Sequence, residues 1–223
     1  MLQLENRPDL HPQDDWYTWF HDQILNNDQH LGNGKLAVIT FNYDLSFDAH
    51  IHALVKRRHR LSDDRAAERL QNLTLLHVYG HLGPIQTLHG QGRPWGLEKQ
   101  EWPEPALAHV AAAGIIAINN PKAEESFATA RELIAAADVI VFMGFGWVQS
   151  NLARLNVKDT ARRASLILAT AVGVRDPTEI LEYLPEGVRT HLGDFTGTNP
   201  SRPTIGMLDR LFRDGGLSAT AQI

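Results

Sequence analysis

Three apolar runs in the second half of the chain constrain its fold more than any other feature. They read GIIAINN, DVIVFMG and ASLILATAVG, and helical segments separate them. Strands that are buried on both faces read as continuous apolar runs, and parallel strands need a crossover segment between them. The pattern therefore predicts an α/β fold with a Rossmann-like, mainly parallel sheet that carries helices on both faces.

Two apolar runs in the first half extend this predicted sheet. We expect these strands, in chain order: Leu36–Phe41, Leu73–Val78, Ile115–Asn119, Val139–Met143 and Leu166–Thr170. With 223 residues, of which 43% are hydrophobic, the chain can bury the core of one domain. We therefore expect a helical lead-in over residues 1–35, a sheet domain over residues 36–195, and a C-terminal loop with a short helix over residues 196–223.

Charge and composition exclude several classes of function. The formal net charge is -5 and the one basic run, Lys56–Arg60, is short, so we expect no nucleic-acid partner. Because cysteine is absent, a thiolate zinc site is excluded. No apolar stretch approaches the length of about 18 residues that a membrane span needs, and the first residues are too polar for a signal peptide. We therefore expect a cytoplasmic protein.

The first candidate site is Asn42-Tyr43-Asp44, which follows the strand KLAVITF. Open α/β sheets bind ligands beyond the carboxyl ends of their strands, so an amide and a carboxylate there could do chemistry. Asp44 could equally cap the helix that follows it. Spacing alone leaves these two interpretations open.

The second candidate site is the segment FMGFGWVQSN, in which Gly144 and Gly146 lie between a strand and a helix. Glycine at such a turn lets the backbone approach a phosphate or a ribose closely. Gln149 stands where a dinucleotide fingerprint has its third glycine, so the motif is incomplete. Tight packing is the alternative explanation for the two glycines.

The third candidate site is HVYGHLG, which places His77, Tyr79 and His81 at alternating positions after a strand. Alternating residues of an extended segment share one face, and histidine titrates near neutral pH. His77 and His81 are therefore candidates for proton transfer. The alternative is a core histidine and a loop histidine without a chemical role. We predict no metal site, because no closely spaced carboxylate completes one.

Taken in this order, the three segments resemble the bacterial sirtuin-like family, which consumes NAD and is often found in antiphage defence. Thr40-Phe41-Asn42-Tyr43-Asp44 stands where sirtuins carry Thr-Gln-Asn-Ile-Asp. FMGFGWVQSNLARL is similar to that family's Gly-Phe-Gly turn and its Asn-Leu helix. The run LILATAVGV is similar to its next strand.

The resemblance implies an NAD glycohydrolase that cleaves the nicotinamide-ribose bond, with NAD as substrate and without zinc. It implies that Asn42 orients the attacking water or the carboxamide, and that Asp44 holds the nicotinamide end. The leaving of nicotinamide gives an oxocarbenium-like ribose, which amide and carboxylate dipoles stabilise. The residues that the resemblance assigns to cofactor binding are Thr40, Phe41, Tyr79, Gly144, Gly146, Ser150, Asn151 and Thr170.

Two departures from the family's pattern leave alternatives open. Val78-Tyr79-Gly80 aligns with the family's Leu-His-Gly, so His77 or His81 must replace the usual base. No strand followed by a Gly-Ala-Gly loop precedes residue 35, so we expect an incomplete sirtuin-like domain. Such a chain is a fragment of a larger enzyme, a non-catalytic nucleotide-sensing or assembly domain, or a fold completed by a homo-oligomer or a partner domain.

Overall fold

The computed structural model describes residues 16–25, 35–83, 113–117, 120–171, 174, 176–193 and 205–215. These residues form two compact units. Unit one takes in the described residues of Tyr17–Ser126, and unit two takes in Trp16 and the described residues of Phe127–Ile223. The domain boundaries predicted near residues 35 and 195 stay a prediction, because residues 26–34 and 194–204 lie outside the described parts of the chain.

Unit one contains a two-stranded parallel sheet. Strand β1 (Ala37–Thr40) pairs with β2 (Thr74–His77), and Thr40 lies opposite His77 at the carboxyl ends of the strands. Helices α2 (Ser46–His59) and α3 (Asp63–Leu70) form the crossover between them, as a parallel pair requires. Before the sheet, α1 (Trp16–Phe20) runs directly into a π-helical turn over His21–Leu25.

The core of unit one lies under α2. Its apolar residues recur at helical spacing, and Phe47, Ile51, Leu54 and Val55 are all buried. The ring of Phe47 packs edge-on against the rings of Phe20 and Tyr17 from α1, with ring centres 5.4 Å and 5.7 Å away. The strands themselves are less covered, because no residue of β1 or β2 is fully buried.

Unit two contains a three-stranded parallel sheet with the order β3–β4–β5. The strands are β3 (Val139–Phe142), β4 (Leu166–Thr170) and β5 (Arg189–Gly193). Every residue of the central strand β4 is buried. Helix α4 (Pro121–Ala136) begins in unit one and continues into unit two. The further α-helices of unit two are α5 (Gln149–Leu155), α6 (Val157–Thr160) and α7 (Ile205–Asp214).

Helix starts follow their sequence signals in this half of the chain. Phe127, Ala130 and Ile134 are buried along one stripe of α4. Asp176 caps a 3₁₀ helix over Pro177–Tyr183, and its carboxylate accepts the backbone N–H of Thr178 at 2.9 Å. The hydroxyl of Thr178 also donates to this carboxylate, at 2.6 Å, and that bond, followed by the backbone bond, lowers the pKa of Asp176 below its ordinary value.

The described strands pair in parallel, so the predicted α/β, Rossmann-like fold class is confirmed. The prediction of one sheet is wrong for the described residues, because they form two sheets. The predicted strand Ile115–Asn119 is also wrong over its described part. Only Ile115 makes a β-bridge, and it is antiparallel to Gly80, because this short apolar run packs against the turn after β2.

Candidate functional site

The carboxyl ends of β1 and β2 lie side by side in unit one. Thr40 pairs with His77, and the backbone N–H of Val78 donates to the carbonyl of Thr40 at 3.0 Å. The segments that leave the two strands therefore start at the same edge of the sheet, where parallel sheets bind ligands. This parallel register brings together Asn42 and His77, two of the candidate residues named from the sequence.

His77 is held by two hydrogen bonds, one from each nitrogen of its ring. Nδ1 donates to the backbone carbonyl of Asn42 at 2.9 Å, and Nε2 donates to the carboxylate of Asp48 at 3.2 Å. Only 7% of the His77 side chain and 12% of the Asp48 side chain are exposed. Both partners are acceptors, so the two hydrogen bonds are made together only when each nitrogen carries a proton, which is the imidazolium form.

The pKa of His77 is raised above its ordinary value, although opposing effects act on it. Burial of the ring lowers this pKa, whereas the hydrogen bond and the negative charge of Asp48 raise it. The Asn42 carbonyl and the charge of Asp44 raise it further. Together these raising effects outweigh desolvation, which is the largest single effect, and His77 stays protonated to a higher pH than a free histidine.

A pocket of about 410 Å³ opens beside this ion pair. Asp48, His77 and His81 form its polar corner, and Gln71 adds one amide. The remaining walls are apolar and come from α2, α3, β2 and the residue before α2, namely Leu45, Phe47, Ile51, Ala67, Leu70, Leu73 and Leu75. A pocket that combines apolar walls with convergent polar groups and a histidine of shifted pKa is a candidate small-molecule site.

The turn that carries His81 is fixed by close backbone contacts. Gly80 has a φ of +69°, and a Cβ atom there would lie 2.0 Å from the carbonyl oxygen of Gly114. The N–H of His81 donates to that same carbonyl at 3.0 Å, and the N–H of Leu82 donates to Tyr43 at 2.8 Å. His81 is thereby held with its ring edge-on to His77, 5.4 Å between ring centres.

Asp44 lies two residues before α2, and its side chain accepts a hydrogen bond from the backbone of that helix. Its carboxylate accepts the N–H of Ser46, the first residue of the helix, at 3.0 Å. The capping interpretation therefore describes its contact, and Leu45 occupies the formal cap position. Asn42 is exposed, and its backbone N–H donates to the hydroxyl of Thr40 at 3.1 Å.

Tyr79 belongs to an aromatic cluster rather than to the polar corner. Its ring lies 5.9 Å from that of Phe41 and 6.3 Å from that of Tyr43, and the residue is buried. The expectation that Tyr79 shares a face with the two histidines is wrong, because β2 ends at His77. The turn that follows, with the N–H of Gly80 on the carbonyl of His77, breaks the alternation.

The candidate residues of unit two surround the end of β4. The hydroxyl of buried Thr170 accepts the N–H of Gly144 at 2.9 Å, and its carbonyl accepts the indole N–H of Trp147 at 3.0 Å. Trp147 has a φ of +50°, which is uncommon for a residue other than glycine. Thr170 thus fixes both ends of the turn between β3 and α5.

The two glycines of this turn have room around them. Gly144 has a φ of +59°, and a Cβ atom added to it would meet no described atom within 4 Å. At Gly146 such an atom would meet Val148 at 3.9 Å, an ordinary contact. Close packing among the described residues therefore does not explain these glycines. Ser150 is exposed, and the N–H of Asn151 donates to Val148 in the first turn of α5.

Sequence reasoning missed Asp48. The sequence carries no clear signal for it, because Asp44 lies before α2 and Asp48 meets His77 only in the folded chain. The described residues contain no group of three or more potential ligands placed to hold a metal ion. None of the described helices is long and apolar enough to cross a bilayer.

No protein-family model, curated protein or solved structure matches this chain. The chemistry of the site must therefore be argued from its own geometry. Unit one offers a carboxylate, an imidazolium, a second histidine and an exposed amide at one sheet edge. Such a set can place negative charge near a developing cation and accept a proton from water.

Proposed function

We propose that this chain is an NAD-binding, sirtuin-like domain that hydrolyses the nicotinamide-ribose bond of NAD. The observation that carries the proposal is the Asp48–His77 ion pair, which lies at the shared edge of β1 and β2 and lines a pocket of about 410 Å³. A hydrogen bond from His77 Nδ1 links this pair to the backbone of Asn42, which the family resemblance assigns to the reaction. A cytoplasmic role in antiphage defence, through consumption of NAD, is part of the same proposal.

The proposed chemistry divides between the residues of the polar corner. Loss of nicotinamide leaves a cationic ribose, which the amide dipole of Asn42 can stabilise, whereas the charge of Asp48 is paired with His77. The amide of Asn42 orients the attacking water. Because both nitrogens of His77 donate hydrogen bonds, His77 is a poor proton acceptor here. We assign proton acceptance to His81, which lines the same pocket.

Taken by itself, the turn from Gly144 to Val148 in unit two is a proposed contact for a ribose or a phosphate group. The free space around Gly144 and Gly146 supports this assignment, because a ligand can approach the backbone there. The hydroxyl of Thr170 already bonds the N–H of Gly144, so its proposed role near the adenosine is to hold the turn.

A non-catalytic nucleotide-sensing domain is the second candidate function. The observation that favours it is the satisfied state of two polar groups: Asp44 bonds the N–H of Ser46, and His77 uses both ring nitrogens inside the protein. Such contacts are those of residues that stabilise a fold. In this alternative the chain binds NAD without cleaving it.

The two candidates differ in turnover. The full chain is incubated with NAD, nicotinamide and ADP-ribose are separated by chromatography, and NAD binding is measured by calorimetry. We expect equal amounts of both products, a loss of about 10²-fold or more in His81→Ala, and full activity in Glu68→Gln, which alters an exposed ion pair on α3. Binding without products would favour the sensing domain, and absence of binding would reject both candidates.

A further inference from the structure

Asp48, His77 and Asn42 form a continuous chain of hydrogen bonds across three separate segments. Asp48 lies in the first turn of α2, His77 ends β2, and Asn42 follows β1. The carboxylate of Asp48 accepts from His77 Nε2 at 3.2 Å and 3.3 Å, and His77 Nδ1 donates to the Asn42 carbonyl at 2.9 Å. We call this chain the Asp48–His77–Asn42 brace.

The brace bears directly on the backbone of Asn42. The N–H of Asn42 donates to the hydroxyl of Thr40, and its carbonyl accepts from His77. Both polar groups of its peptide backbone are therefore tied, although the residue itself is exposed. The direction in which the Asn42 side chain leaves the backbone depends on Thr40 on one side and on His77 on the other.

We propose that Asp48 is a positioning residue of the NAD-cleaving site, which acts through His77 to hold Asn42 in the orientation that the reaction needs. This inference rests on the proposed function and adds a residue to it. A misplacement of about 1 Å in a positioned group can reduce a reaction rate by roughly 10²-fold. Asp48 therefore matters for turnover without contact to the reacting bond.

The brace depends on pH because His77 must carry both protons. The titratable groups around His77 in the described part of the chain are Asp48 on α2, Asp44 before it, and His81 after β2. Helix α3 contributes Ala67, Leu70 and Gln71 to the same pocket. Because the pKa of His77 is raised, the brace is complete at pH values below the ordinary histidine pKa. It is lost as pH rises through the raised value.

The test compares the full chain with three variants. Asp48→Asn removes the charge, Asp48→Glu keeps it, and Asp64→Asn makes the same change at an exposed position of α3. We measure kcat and KM for NAD cleavage from about pH 6 to pH 9, and the protonation of the His77 ring nitrogens by NMR. Folding of each variant is checked by circular dichroism.

For Asp48→Asn we expect kcat to fall by roughly ten- to a hundredfold while KM changes by less than about threefold. We also expect its alkaline loss of activity to begin at a lower pH, with partial recovery in Asp48→Glu and no change in Asp64→Asn. In a chain without turnover, NMR still reports the brace: His77 loses its second proton at a lower pH in Asp48→Asn.

Two results would overturn the proposal. The first is an unchanged kcat in folded Asp48→Asn, because the carboxylate would then not position the reacting groups. The second is a His77 ring that is neutral in the intact chain near pH 6, which would exclude the brace whether or not the chain cleaves NAD. Absence of turnover with an intact brace would reject the proposed function, and with it the role of Asp48 in the reaction.

Discussion

The two units hold the ends of their parallel strands in different ways. In unit one, an ion pair between Asp48 and His77 fixes the segment after β1. In unit two, the neutral hydroxyl and carbonyl of Thr170 fix the turn after β3. The strands differ as well, since β4 is buried throughout, whereas β1 and β2 are only half-buried.

This difference suggests that the two units contribute differently, one mainly to stability and the other mainly to chemistry. A strand that is buried along its whole length contributes most through apolar packing, which does not vary with pH. A charged pair at a half-buried strand end contributes less to stability, and it supplies groups that can titrate and bind. We therefore expect unit two to dominate the effects of core substitutions and unit one to dominate the effects of pH.

The largest expected effect compares two Ile→Ala substitutions. Ile167 lies in β4 and is fully buried, and Ile39 lies in half-buried β1. We expect Ile167→Ala to reduce the free energy of unfolding by about 4 kcal/mol, because it leaves a cavity, and Ile39→Ala to cost less than half as much. Urea unfolding followed by circular dichroism measures both. Equal losses would remove the contrast between the two sheets.

The next effect compares a glycine in each unit. Gly80→Ala places a Cβ atom against the carbonyl of Gly114 and keeps a positive φ, so we expect a loss of about 3 kcal/mol. Gly144→Ala has the positive φ without the close contact, and we expect about 1 kcal/mol. Thermal unfolding of the two variants checks this order. A larger loss for Gly144→Ala would contradict the described packing.

The pH dependence of stability is the third effect. Because the pKa of His77 is raised in the folded chain, its contribution is complete below the ordinary histidine pKa of about 6.5 and is lost as pH rises through the folded value. We expect the free energy of unfolding of the intact chain to exceed that of Asp48→Asn by about 1.5 kcal/mol near pH 6, and by less near pH 9. A gap that grows with pH would show that the sign is wrong.

The smallest effect concerns the neutral turn of unit two. Thr170→Val keeps the shape of the side chain and removes the acceptor for the N–H of Gly144, and we expect a loss of about 1 kcal/mol. Thr170→Ser keeps the hydroxyl and serves as the matched control. The loss is expected to be the same at about pH 6 and pH 9. A loss of stability that changes with pH would show that a titrating group acts on this turn of unit two.

The sequence predicts those parts of the fold that are set by local burial. The runs at β1, β2, β3 and β4 are apolar and short, and each matches an observed strand to within two residues. Strand β5 was missed because Arg189 and His191 interrupt its apolar pattern on a partly exposed strand. Ile115 was misassigned because a short apolar run also suits a segment that packs against a turn.

Two of the candidate residues named from the sequence lie close together because of parallel register alone. Asn42 and His77 end neighbouring strands, so their approach follows from the sheet. Asp48 reaches His77 only because α2 docks against β2, and sequence spacing does not encode that contact. The position of Tyr79 depended on where β2 ends, which the sequence does not fix to a single residue.

Hydrogen exchange measured at several pH values tests the contrast between the two units most directly. Protection factors of backbone amides, corrected for intrinsic exchange, are compared between about pH 6 and pH 9 for the segments after β1 and β2 and for the turn before α5. We expect protection to fall with rising pH around Asn42 and His81 and to stay constant around Gly144. Equal changes in both units, or constant protection around Asn42, would contradict a charged brace in unit one.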